Sequence, residues 1–112
     1  PDPRVAVLID SLTASSGEAL AVAFRGRAGT RLFGETTWGV STANAAFPLG
    51  DGAVIFLTVS TMADRTGRVY GSALRPDEVV AGGEKTGEPS SDAVLDAALK
   101  WLTGPACVQS PA

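Results

Sequence analysis

Apolar positions follow three different rhythms along this chain. Val5-Ala6-Val7-Leu8-Ile9 is an unbroken apolar run of strand length. Ala19-Leu20-Ala21-Val22-Ala23-Phe24 is alanine-rich and apolar all round, whereas Val94, Leu95, Ala98, Leu99 and Leu102 recur at the three- and four-residue spacing of one helix face. The first run predicts a strand over 4–10, and its lack of alternation calls for cover on both faces, as in a parallel sheet flanked by helices. The second predicts a helix over 16–25 packed inside the domain, with Gly26 and Gly29 supplying a left-handed stop. A short strand over 30–35 then completes a βαβ unit whose crossover is expected to be right-handed.

Beyond it the chain turns polar over 36–44. This loop and the segment around Ser15 both leave the carboxyl ends of strands, where ligand crevices lie in open α/β sheets. An edge strand over 43–49, the turn signal Gly50-Asp51-Gly52 and a β-rich run over 53–61 read as an antiparallel hairpin. Asp64-Arg65-Thr66-Gly67-Arg68 is a further turn, and a short strand over 69–74 is stopped by Pro76-Asp77. The expected organisation is a core over 1–80, a polar linker over 81–90, a closing amphipathic helix over 91–103 that must dock on something, and a frayed tail over 104–112.

At 112 residues the chain has room for one modest core, and its 45% apolar and 19% charged residues are those of a folded domain. Nine Lys and Arg stand against twelve Asp and Glu without a basic stripe, so neither nucleic acid nor an anionic membrane is an expected partner. No apolar run approaches the length of a membrane span. Cys107 is the sole cysteine and histidine is absent. That excludes an internal disulfide and the usual routes to a zinc site, and it removes the commonest general base from these residues. No cofactor is expected. The chain begins at Pro1 without an initiator Met, so residues upstream are expected.

The candidate chemistry lies where the first strand hands over to the helix. A hydroxyl from Thr13, Ser15 or Ser16 there sits beside unpaired N–H groups and the positive end of the helix dipole, where a developing oxyanion is stabilised. The same residues, with Glu18 following, also fit a plain helix cap, which is the commoner use of such a cluster. Local pattern leaves both readings open.

Five blocks narrow the choice: Thr13-Ala14-Ser15-Ser16-Gly17-Glu18-Ala19, Phe33-Gly34-Glu35-Thr36-Thr37-Trp38-Gly39, Pro48-Leu49-Gly50-Asp51-Gly52-Ala53, Thr66-Gly67-Arg68 and Pro76-Asp77. In content, order and spacing they resemble the carboxyl-terminal processing serine peptidases, also called tail-specific proteases, and their tricorn-core relatives. The resemblance covers Val5 to about Val80. It implies an α/β fold, a crotonase-like and Clp-protease-like core of ββα units of which this chain is the back part. It also implies hydrolysis of extended polypeptides through a serine acyl-enzyme. Ser15 takes the nucleophile's place and the Ser16 N–H that of an oxyanion donor, with a second donor from a glycine upstream of this chain. The partners implied are polypeptide substrate and the rest of the catalytic domain upstream of Pro1, in an extracytoplasmic or secreted setting. Self-association through exposed apolar surface, as a homo-oligomer, is a further expectation.

The departures are specific. Where the processing peptidases carry a general-base lysine this chain has Val40, and where they carry the glutamine that orients it, Asn44. A valine accepts no proton, so these residues hold no Ser–Lys dyad of that kind. Lys85 and Lys100, the only lysines, lie in the linker and the closing helix. The Thr37-Trp38-Gly39 wording leans toward the tricorn-like branch, in which an earlier histidine is the base and an acid comes from ahead of the Pro-Asp block. That acid position falls near Tyr70, where no carboxylate stands. Asp64 and Glu35 are the nearest candidates, each with a plainer reading: Asp64 as a turn-former, Glu35 as a strand-end charge. Gly39 and Trp38 are candidates for touching substrate, although a tryptophan after a strand is expected to bury its area against the core. Two functions fit: a serine peptidase whose base lies outside this chain, and a peptide-binding relative that has lost its base.

Overall fold

The computed structural model describes residues 3–82 and 92–105. β1 (Val5–Ile9) and β2 (Thr30–Gly34) pair in parallel, joined by α1 (Ser16–Phe24). β3 (Thr42–Pro48) and β4 (Val54–Ala63) form an antiparallel hairpin to which β5 (Val69–Tyr70) adds. β6 (Glu78–Val79) then returns to lie parallel to β2, and α2 (Ala93–Thr103) closes the order. Among the described residues the result is an α/β fold with two three-stranded sheets, β1-β2-β6 and β3-β4-β5.

The parallel sheet is covered on both faces, as its unalternating strands require. On one face Ile9 and Leu32 join Ala21, Val22 and Leu74 in the buried core, with Val7, Met62 and Tyr70 packed against it. On the other, Phe33 is wholly buried and its ring meets that of Trp101 on α2 at a centroid distance of 5.7 Å. Removing a side chain of that size from water contributes roughly 1.5–3 kcal/mol. Arg4 and Arg31 lie over the same indole at 5.3 and 6.0 Å. Arg4 also donates to the carbonyls of Trp101, Gly104 and Pro105 at 2.8, 3.1 and 2.9 Å. A cation there satisfies oxygens that the end of a helix leaves without intrahelical donors. At the other end of α2, Asp92 accepts the N–H groups of Val94 and Leu95 at 3.1 and 3.0 Å.

Four sequence expectations are corrected. α1 is not buried all round: Glu18, Ala21 and Val22 form its inner face and Leu20 is 61% exposed. The inner side of α2 carries Val94, Ala98 and Trp101, while Leu95, Leu99 and Leu102 remain exposed. The indole presents the largest apolar surface on that helix, and its seat between Phe33 and two guanidinium groups sets the rotation. The strand expected over 69–74 is two residues long, because the chain leaves the ladder at Gly71 and carries Leu74 into the core. Pro76-Asp77 does not end the β-structure but precedes β6, which Asp77 fastens to β2 by accepting the Leu32 N–H at 2.7 Å and donating its own N–H to the Leu32 carbonyl at 2.9 Å. A two-residue strand is too short to leave a periodic signature. Residues 83–91 of the expected linker and closing helix, and 106–112 of the tail with Cys107, lie outside the described residues.

The hairpin carries apolar side chains on both faces. Phe47 pairs with Ile55 and Ala45 with Leu57, while Ala46 pairs with Phe56 and Pro48 with Val54 on the opposite face. Phe47, Val54, Ile55, Phe56, Leu57 and Val59 are all exposed. Because β1 and β2 run parallel, the turn after β1 and the segment after β2 emerge at the same end of the sheet.

Candidate active site

After Ile9 the chain reverses within a few residues. The Thr13 N–H closes a turn on the Asp10 carbonyl at 3.0 Å, and the Asp10 carboxylate accepts from the Leu12 N–H and the Thr13 hydroxyl at 2.9 and 3.1 Å. Such local side-chain bonds are what Asp and Thr do in turns. Thr13 is thereby committed to the turn. Two residues on, Ser15 takes φ 50° and ψ −112°, and among the described residues it is the only non-glycine at positive φ. A side chain held there stores roughly 1–3 kcal/mol of strain and persists only where the surroundings fix it. Strand-to-helix turns that present a nucleophile are strained in the same way.

Ser15 is exposed and stands at the N-terminus of α1. Its carbonyl accepts the Ala19 N–H at 2.9 Å, so it points along the helix. Across the trans peptide the Ser16 N–H therefore points out of the helix mouth, and among the described residues no acceptor takes it. An exposed hydroxyl next to an outward N–H at the positive end of a helix suits attack on a carbonyl followed by stabilisation of the oxyanion.

What fixes this turn is Glu18, which is fully buried although it is ionisable. Its Oε2 accepts the Ser15 N–H at 3.0 Å and the Val40 N–H at 2.9 Å. Its Oε1 accepts the Thr37 hydroxyl at 2.5 Å and the Gly39 N–H at 2.9 Å. Thr37 in turn accepts the Leu74 N–H at 2.8 Å and donates its own to the Leu74 carbonyl at 3.0 Å, and the Trp38 N–H reaches the Thr13 carbonyl at 2.9 Å. Buried polar groups need such partners, and a network with every member satisfied is rigid. In the sequence Glu18 fits only a cap residue. The missed signal is its register with Ala21 and Val22, three and four positions on, which puts the carboxylate on the inner face of α1.

The other candidates are distributed as follows. Gly39 and Val40 are tied to Ser15 through Glu18. Trp38 is 67% exposed, which corrects the expectation that it packs against the core. Its backbone is anchored to the Ser15 turn while its ring stays outside. Asn44 lies on β3, where its carbonyl oxygen accepts the Thr58 hydroxyl across the hairpin at 2.9 Å. Glu35 bonds the Ile9 carbonyl through its N–H at 3.1 Å and accepts the Gly82 N–H at 3.3 Å. Asp64 accepts from the Thr66 hydroxyl and N–H, the Arg68 N–H and the Tyr70 hydroxyl at 2.6, 2.8, 3.2 and 2.8 Å. The Thr66 hydroxyl first of all, and then Tyr70, hold its carboxyl down to about 2. Its turn packs at the far end of α1, where Arg65 donates to the Ala23 carbonyl at 2.9 Å. At about 1.5 Å of rise per residue, a helix of this length puts that end about 12 Å from Ser15.

The chain is similar in sequence and fold to known proteins. The sequence pattern of peptidase family S41 matches residues 1–80. Over 66 residues the chain is 38% identical to the nisin-resistance protein of Lactococcus lactis subsp. lactis, spanning 59% of this chain and 21% of that protein. A lipoprotein from Streptococcus agalactiae superposes with a TM-score of 0.69 at 31% identity, over 88% of this chain and 31% of its own. The photosystem II D1 C-terminal processing protease superposes with a TM-score of 0.61 at 26% identity, over 70% of this chain and 20% of its own. The chain thus spans about a fifth of the curated relative's length and no more than about a third of either solved relative's.

Proposed function

The chain belongs to peptidase family S41, and from that premise we propose that it carries the nucleophile side of a serine peptidase site acting on extended polypeptides. Ser15 is the nucleophile and the Ser16 N–H an oxyanion donor. The observation that carries this reading is the exposed, strained Ser15 at the mouth of α1. Its Oγ bonds to the scissile carbonyl carbon, its proton passes to a base, and the carbonyl oxygen becomes an oxyanion facing the Ser16 N–H. Collapse of that adduct expels the amine, which takes the proton from the base. Water, deprotonated by the same base, then releases the acyl group and restores the Ser15 hydroxyl.

The base comes from outside the described residues, a histidine from an earlier segment being the choice that the tricorn-like wording favours. Val40 is the reason: its N–H shares Glu18 Oε2 with that of Ser15, and in the position where the processing peptidases carry lysine its alkyl side chain accepts no proton.

The same valine favours a second reading, a peptide-binding relative without turnover. A fluorophosphonate probe decides between them. Labelling of the intact protein that disappears in Ser15→Ala supports the peptidase, and absence of labelling in a folded protein supports the binding module.

A further inference from the structure

We infer that Glu18 is a positioning residue that holds Ser15 in its attacking conformation, an inference that rests on the peptidase reading. A backbone dihedral is pinned when the groups on both sides of the Cα are held. For Ser15 the N–H is held by Glu18 Oε2 at 3.0 Å and the carbonyl by the Ala19 N–H at 2.9 Å. The second bond belongs to any helix start. The first is a capping-box bond, made here by a buried carboxylate, and it keeps an L-residue at φ 50° against its preference for negative values. Without it the Ser15 peptide relaxes toward extended backbone, and the Oγ swings away from the space in front of the Ser16 N–H.

Glu18 does this while holding a second segment. Each of its oxygens faces two donors, Ser15 N–H and Val40 N–H on one, Thr37 hydroxyl and Gly39 N–H on the other. Methionine is close to glutamate in length but carries no oxygen, so none of the four donors keeps its acceptor. Glu18→Met therefore frees Ser15 and the 37–40 segment together. Aspartate keeps both acceptors but is one methylene short of reaching four donors at once.

The test measures fluorophosphonate labelling of the intact protein, separating the saturating rate constant from the probe concentration at half-saturation, well below the unfolding midpoint. Glu18→Met is expected to lower the rate constant roughly 100-fold, the cost of misplacing a reacting atom by about an ångström, with half-saturation unchanged. A rate constant that falls only with the unfolded fraction, or a change confined to half-saturation, overturns the inference.

A second measurement holds even if the protein does not label, the outcome that defeats the peptidase reading itself. Ser15→Gly removes the strain at φ 50° and Ser15→Ala keeps it, so the glycine variant is expected to melt several degrees higher. In the Glu18→Met background that gap is expected to close, because Ser15 is no longer held. An equal gap in both backgrounds overturns the inference whatever the protein's activity.

Discussion

Ser15 and Val40 donate their backbone N–H groups to one oxygen, Glu18 Oε2, at 3.0 and 2.9 Å. The segment after β1 and the segment after β2 are thus locked at a shared acceptor. On the peptidase reading, position 40 is thereby placed where a lysine would reach the Ser15 hydroxyl.

Val40→Lys tests that statement directly. In the 112-residue chain, the substitution is expected to raise the rate of fluorophosphonate labelling at Ser15 roughly 100-fold, within the range that a positioned general base supplies. The gain is expected to grow with pH as the amine loses its proton. An unchanged rate, with the chain folded, means that side chains at position 40 point away from the Ser15 hydroxyl.

Gly39 sits at φ +109°, and a Cβ there would lie 3.2 Å from the Ala73 backbone nitrogen. Gly52 also has positive φ, +87°, but open space around it. Gly39→Ala is expected to cost about 2–3 kcal/mol in urea unfolding and Gly52→Ala about 1–2 kcal/mol, the latter being conformational strain alone. Equal losses at the two positions would show that crowding against Ala73 adds nothing.

Arg4 ties α2 to the amino end of β1 through three carbonyls and the Trp101 ring. Arg4→Ala is expected to lose about 1–3 kcal/mol, read as faster amide hydrogen exchange along α2 with little change in α1. Arg4→Lys is expected to recover less than half, since an ammonium cannot fork between several carbonyls and stack on an indole at once.

Asp64 gives a pH signature. Its carboxyl is held at about 2 instead of the ordinary 3.8, mainly by the Thr66 hydroxyl with Tyr70 and two N–H groups assisting. A depressed pKa in the folded state contributes stability that is fully present above the ordinary value and is lost as pH falls through about 2. Asp64→Asn is expected to melt below the parent at neutral pH, with the gap closing between pH 4 and 2. Tyr70 is pushed above its ordinary 10.0 by burial first and by Asp64 second. Its phenol is expected to ionise at lower pH in the same variant, read by ultraviolet absorbance.

The parallel βαβ unit, the hairpin around Gly50-Asp51-Gly52 and the place of Ser15 at the start of a helix were legible in the chain. Each is decided by which residues within a few positions are apolar, turn-forming or hydroxyl-bearing. That Trp38 would lie outside, that α2 would turn Trp101 inward, and that β6 would exist were not legible. Each depends on surfaces that meet only once distant segments pack: the Thr13 carbonyl for Trp38, Arg4 and Phe33 for Trp101, the Leu32 backbone for Asp77.

Glu18 marks the boundary between the two. Sequence alone determined that a glutamate stands three residues after Ser15 at the start of a helix, which is enough for a cap. Only the tertiary structure decided that its remaining acceptor capacity goes to Thr37, Gly39 and Val40. A buried carboxylate must find donors wherever packing brings them. Here the parallel register of β1 and β2 brings them from the segment after β2, a distance along the chain that no local pattern encodes.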